Sequence, residues 1–140
     1  DADRIAAAVA TEGRIRSDWD RFFVEGQFDA FLSPTTQVSP FPVGMEWVDE
    51  IDGVSLDHYT HWMRSCSRIT VTGAPSASLP AGFIDGGLPV GIQFAGQRHG
   101  DAALVALLAA AEEVFGTAPA PDIGALATLD TKTLPPGPLG

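Results

Sequence analysis

Lysine is almost missing from this sequence. Of the eight basic residues only Lys132 is a lysine, and it stands in the proline-rich last stretch, so nothing before it offers a buried lysine as general base. Cysteine is as scarce. Cys66 alone rules out an internal disulfide and points to a reducing compartment, with a cytoplasmic location expected. No apolar run reaches the length of a bilayer span. There is no Gly-x-Ser-x-Gly elbow, no P-loop and no His-Glu-x-x-His, and Gly82, Gly86, Gly87 and Gly91 do not take the spacing of a dinucleotide fingerprint. With a formal net charge of −10 and a pI of about 4.4, the chain lacks the clustered cations that phosphate backbones require. Neither a nucleic acid nor a membrane is expected as a partner. The first residues, Asp1-Ala2-Asp3-Arg4, form neither an initiator methionine nor a signal peptide, and the expectation is a chain that begins inside a larger protein or after processing.

What is present describes a globular chain. The 140 residues are 45% hydrophobic and 19% charged, enough for about one domain with a core. From residue 3 to residue 25, Ile5, Ala8/Val9, Ile15, Trp19 and Phe22/Phe23 recur at helical spacing, broken at Glu12, and Gly26 is expected to stop the helix. Asp29-Ala30-Phe31-Leu32 reads as a short buried strand. Residues 37–53 read as a loop broken by Pro40, Pro42, Gly44 and Gly53, with Met45 and Trp47 anchoring it like a flap. A second helix is expected to run from a cap at Ser55 or Asp57 to Ile69, burying Tyr59, Trp62/Met63, Cys66 and Ile69. Two apolar runs, residues 70–83 and 88–96, flank Ile84-Asp85-Gly86-Gly87 and predict a strand pair. Their prolines and glycines suit a sheet edge or the lining of a crevice. Asp101 is expected to cap a last helix over residues 102–115, ended by Gly116. Five of the eleven prolines then fall in residues 117–140, a tail expected to wrap an outer surface.

Few residues carry chemistry. Asp57, His58, His61 and Cys66 are the nearest approach to a ligand cluster, but Cys66 lies five residues past His61 and on another helical face. Solvent-facing histidines and a core cysteine are therefore preferred to a metal site. No cofactor is implied. Ser65, Ser67, Thr70 and Thr72 gather at the junction of helix and strand, where hydroxyls either cap backbone groups or face a polar substrate. Gln93 is the polar residue of the second strand, with a structural hydrogen bond as its expected role.

Three segments carry a resemblance. Phe28-Asp29-Ala30-Phe31-Leu32-Ser33-Pro34-Thr35 resembles the "FD-x-LL-x-PT" segment of the amidase signature family. Thr72-Gly73-Ala74-Pro75-Ser76-Ala77-Ser78-Leu79-Pro80-Ala81-Gly82-Phe83 resembles its "TG-x-PA-x-S-x-P-x-GF" segment, departing at Ala74 and Ser76, and Gly87-Leu88-Pro89-Val90-Gly91-Ile92-Gln93 resembles "GLPVG-[LI]-Q". The resemblance implies an α/β fold in which residues 1–116 are the C-terminal part of a mixed β-sheet core flanked by helices on both faces, incomplete in this chain. It implies amide hydrolysis by a Ser–cis-Ser–Lys triad whose members lie outside this chain, so that no catalytic residue is expected here and the isolated chain is expected to be inactive. The partner implied is the N-terminal catalytic portion of the same enzyme, the ligand a small amide, and a homodimer stays open. By this resemblance Trp62, Met63, Cys66, Ser67 and Thr70 line the acyl pocket. Family members acting on glutamine need an acidic group near that helix, and its absence here favours an uncharged, partly apolar amide. The alternatives are the amidase-like component of a tRNA-dependent glutamine amidotransferase and a non-catalytic α/β interaction module.

Overall fold

The computed structural model describes residues 1–116 and Gly124, so the expected tail over 117–140 otherwise lies outside the described residues. The element order is α1 (Ala2–Gly26), β1 (Phe31–Pro34), β2 (Glu50–Ile51), β3 (Val54–Ser55), a 3₁₀ turn (Tyr59–His61), α2 (Arg64–Thr70), β4 (Ser76–Ile84), β5 (Leu88–Ala95) and α3 (Asp101–Phe115). The α/β character and the helix-flanked sheet agree with the fold that the three motifs imply. Strand order is β1-β5-β4, and both ladders are antiparallel.

Helix α1 starts where the Asp1 carboxylate accepts a hydrogen bond from Asp3 N at 3.0 Å, satisfying one of the free donors of a helix start. Its end corrects the expectation at Gly26. The helix includes Gly26 and ends on Gln27, which takes the left-handed conformation at φ 51°. Glycine serves a different purpose there: a Cβ at position 26 would lie 2.1 Å from the Phe28 ring, which folds back to 4.7 Å from Phe22. Only the second half of the apolar stripe packs. Phe23 is buried, while Ile5 and Val9 are 66% and 62% exposed.

Strand β1 lies two residues later than expected and is not buried, with Phe31 37% and Leu32 48% exposed. It is an edge strand, and Pro34 at its end is tolerated because a donor is lost where none need be paired. The long loop contains a small hairpin, β2–β3, turning on Asp52 and Gly53, both at positive φ. The loop is held through Phe41, edge-on to Trp62 at 5.6 Å; Trp47 is half-buried and Met45 exposed.

The expected helix from residue 55 or 57 to residue 69 is broken in two. Ser55 ends β3 and neither it nor Asp57 caps anything; α2 begins at Arg64, with Cys66 N and Ser67 N bonding Met63 O. Its start is satisfied from outside, because Gln37 Oε1 accepts from Ser65 N at 2.9 Å. Tyr59 is thereby left exposed, while Ile69 is buried. The first apolar run is not strand from its beginning either. Residues 71–73 continue the end of α2 as a turn, in which Thr72 Oγ1 donates to Ile69 O at 2.7 Å and accepts from Ala74 N at 3.2 Å. Strand pairing begins only at Ser76.

From there the expected hairpin forms. Ser76 pairs with Ala95 and Ile84 with Leu88, with a register shift between Pro80 and Gly82. Gly86 and Gly87 take φ of 86° and 76° in the connection, values that favour glycine. Alternation along the strands gives the sheet two different faces. Leu79, Phe94 and Ile92 meet Leu104, Leu107, Leu108 and Ala111 of α3. Phe31 and Ser33 face the other way, and Phe31 meets Trp19 of α1 at 5.7 Å. Asp101 opens α3 as its first helical residue and is not its cap, a position held by Gly100; Gly116 ends it at φ 76°.

Two long-range ties fix α1 to the turn before α3. Trp19 Nε1 donates to Gly96 O at 3.0 Å, and the Arg98 guanidinium holds Asp20 through three contacts of 2.9–3.2 Å. No helix among the described residues is long and apolar enough to cross a membrane.

Candidate substrate cleft

The segment after β1 runs alongside the middle of the β4–β5 hairpin and leaves a cleft of about 700 Å³. One wall is Pro34 through Phe41, another is Trp62, and the floor is formed around Ser78–Pro80 and Pro89–Gly91. None of the lining residues is charged.

Thr35 is the best-fixed residue of this cleft. Its N–H donates to Gly91 O at 3.1 Å, its carbonyl accepts from Cys66 Sγ at 3.4 Å, and its hydroxyl shares a 2.6 Å hydrogen bond with Ser78 Oγ. Gly91 makes the room. A Cβ there would lie 2.6 Å from Ser78 Oγ and 2.8 Å from Thr35 Oγ1, both closer than real Cβ contacts allow. Beside this pair Ser33 Oγ donates to Gln93 Oε1 at 3.4 Å, so Gln93 has the structural hydrogen bond expected of it.

The five residues assigned to a pocket by resemblance fall in different places. Trp62 lines the cleft, standing edge-on between Phe41 and Tyr59 at 5.6 and 5.9 Å, and its Nε1 is buried without a hydrogen-bond partner. Cys66 lies behind the cleft, its thiol tied to the Thr35 carbonyl and 3.9 Å from Ser65 Oγ. Met63 is half-buried at the start of α2. Ser67 Oγ donates to Arg64 O at 3.3 Å and Thr70 Oγ1 to Cys66 O at 3.1 Å. Both hydroxyl protons are given to carbonyls of their own helix. The residues that reading the helix missed are Thr35, Ser78 and Gly91. A signal for them existed: each is a shared position in one of the three motifs, and the fold brings all three to one point.

A second cavity, about 540 Å³, lies between α1 and α2 over β1; Ile15, Trp19, Phe22, Phe31 and Ile69 make it largely apolar, with Asp18 and Arg68 also lining it. Near the Trp62 wall, the His58 and His61 rings lie 3.8 Å apart, tilted by 47° to each other, and His61 Nδ1 is 3.9 Å from Asp57 Oδ2. Among the described residues no three His, Cys, Asp or Glu side chains converge as metal ligands. Loss of surrounding water holds the His61 imidazole below its ordinary value near 6.5, Arg64 and His58 push the same way, and Asp57 opposes them. The neutral ring is therefore the one the fold accommodates. Stability from this site is full above about pH 6.5 and declines as pH falls through that value, because the unfolded chain takes up the proton first. Thermal melts from pH 8 to pH 5 should show this loss, and His61→Gln should flatten it.

With the geometry in place, comparison with known proteins is decisive at one level. A family model described as Amidase matches residues 1–105. The chain belongs to the amidase family. Its similar relatives include the A subunit of the glutamyl-tRNA(Gln) amidotransferase of Myxococcus xanthus, 38% identical over 98 residues, covering 70% of this chain and 18% of that protein. The corresponding protein of Clostridium botulinum strain Hall is 43% identical over 86 residues, 61% of this chain and 16% of that protein. This amidase-family chain thus spans less than a fifth of the length of those relatives. Among solved structures it is similar to a bacterial aryl acylamidase of the amidase signature family, with TM-score 0.64 and 31% identity over 81% of this chain and 23% of that one. It is also similar to the glutamyl-tRNA(Gln) amidotransferase A subunit of Thermotoga maritima, with TM-score 0.52 and 30% identity over 71% of this chain and 20% of that one.

Proposed function

We propose that this chain is the C-terminal portion of an amide-cleaving enzyme of the kind that serves glutamyl-tRNA(Gln) amidotransferases, working beside partner subunits. The observation that carries this reading is the agreement of sequence relatives named as that component, at 36–43% identity. In this reading a serine outside the chain attacks a carboxamide carbon, and a lysine acting through a second serine carries the proton to the leaving nitrogen. Backbone N–H groups hold the developing oxyanion. Residues 1–116 complete the sheet and shape the substrate side.

A second reading, hydrolysis of an uncharged amide without partner subunits, has its own support. Helix α2 and its N-cap carry Met63, Arg64 and, in the last turn, Arg68, with no carboxylate that would hold an α-amine, the cleft has no charged lining, and the likeness to the aryl acylamidase is the stronger of the two fold matches. Ammonia release separates the readings. The intact protein, assayed alone and with co-expressed partner subunits, is expected to hydrolyse glutamine and to do so better in the assembly. Turnover of neutral amides with no response to glutamine or to partners overturns the first reading in favour of the second.

A further inference from the structure

The cleft lining is apolar except at a few points, and the Thr35–Ser78 hydroxyl pair is the polar point most firmly held. One hydroxyl of that pair donates to the other across 2.6 Å. The donor keeps lone pairs to spare, and the acceptor keeps a proton to give. Two oxygens so close therefore offer one donor and one acceptor side by side. Their position is not free to drift, since Thr35 is bonded through its N–H, carbonyl and hydroxyl to three separate segments, and Gly91 leaves the space a side chain would fill. Neutral walls surround them, with Phe41 and Trp62 presenting aromatic surface.

We infer that this cleft binds a primary carboxamide group, and that Thr35 and Ser78 determine that specificity. A primary carboxamide carries an N–H on the same side as its carbonyl oxygen. It closes a ring of three hydrogen bonds with the pair: one hydroxyl to the other, the free hydroxyl proton to the carbonyl, and the syn N–H to the remaining hydroxyl oxygen. A secondary amide in the trans form points its N–H away from its carbonyl and cannot close that ring. A carboxylate lacks the N–H and carries a charge that the lining does not balance. Apolar pockets with a few well-placed polar groups select ligands in this way, the apolar part supplying affinity and the polar part orientation. The inference rests on the amide-cleavage reading common to both alternatives above and on neither in particular.

The test uses the intact protein with benzamide, acetanilide and benzoate as probes, binding being followed by tryptophan fluorescence and by ligand-observed NMR. Benzamide is expected to bind at least about tenfold more tightly than either other probe, a difference of about 1.4 kcal/mol. Thr35→Val, which keeps the shape and removes the hydroxyl, should abolish that preference while leaving the weak acetanilide binding unchanged, and Thr35→Ser should restore it. In turnover of benzamide, Thr35→Val should raise KM far more than it lowers kcat. Equal binding of benzamide and acetanilide, no binding of benzamide, or a Thr35→Val protein that retains the preference overturns the inference and leaves the pair as a cross-strand tie. Amide turnover insensitive to Thr35→Val removes the inference and spares the amide-cleavage reading. Selective benzamide binding in a protein that cleaves no amide does the reverse.

Discussion

Phe94→Ala is expected to destabilise the fold by about 3–5 kcal/mol, the largest effect of any single truncation here. Phe94 is 4% exposed at the centre of the sheet, on β5, between Leu32 of β1 and Ala77 of β4. It packs with Leu79 and Leu104, the other members of the small buried cluster, and stands edge-on to Phe115 at 6.2 Å. Neither neighbour across the ladder can fill the gap. Alanine at position 77 is too small, and Leu32 is half out in solvent. The cavity would therefore persist, and a persistent cavity adds to the lost transfer energy. Thermal denaturation should show a midpoint lower by roughly 10 °C for a chain of this size. Phe94→Leu, which retains most of the volume, should recover more than half of the loss.

Trp19→Ala is the second large effect, at roughly 3 kcal/mol. Trp19 joins α1 to the rest of the chain twice over: its ring contacts Phe22, Phe23 and Phe31 at 5.4–6.1 Å, and its Nε1 supplies a hydrogen bond to Gly96 O. Trp19→Phe separates the two contributions. It keeps aromatic packing and leaves the carbonyl of buried Gly96 without its donor, for a cost of about 1–3 kcal/mol. Hydrogen exchange should report the same division. In Trp19→Ala the whole of α1 loses protection, whereas in Trp19→Phe the loss should concentrate at the turn around residues 96–100. If both variants melt like the parent, α1 is not held by this residue.

Long-period signals were legible and short-range competition was not. α1 and α3 were readable because Trp19/Phe22/Phe23 and Leu104/Leu107/Leu108 recur over several turns, and the β4–β5 pair because Gly86 and Gly87 mark its turn. The helix expected before Ile69 failed because Trp62 and Met63 satisfy a helical stripe yet sit between a 3₁₀ turn and a distorted helix start, stabilised by Gln37 from far along the chain. Sequence spacing does not contain that contact. Residues 71–73 failed as strand because Thr72 bonds its own neighbours, a local choice that outweighs its β propensity. The hydroxyl pair of the cleft is hidden from sequence periodicity for a related reason. The resemblance points to Cys66, Ser67 and Thr70, whose protons go to backbone carbonyls, whereas Thr35 and Ser78 are 43 positions apart and become a pair only through the sheet. The motif ends held that information; helical periodicity could not.

Strand β5 is central to the sheet and the last of its described strands to be synthesised, while β1, which needs it as a neighbour, comes 60 positions earlier at the Ser33–Gln93 rung. Assembly order follows. The β4–β5 hairpin closes over the short Asp85-Gly86-Gly87 connection and forms early; β1 can join only afterwards, across a long loop closure. A ribosome-bound chain that has emerged only to Ile84 would carry α1, β1 and α2 without the β5 strand that β1 pairs with and without the Gly96 carbonyl that Trp19 bonds, leaving that edge of β1 open. The cleft is bounded by β1's end on one side and the hairpin on the other. It is therefore among the last features of this region to exist, and slowing β5 delays the site along with the sheet.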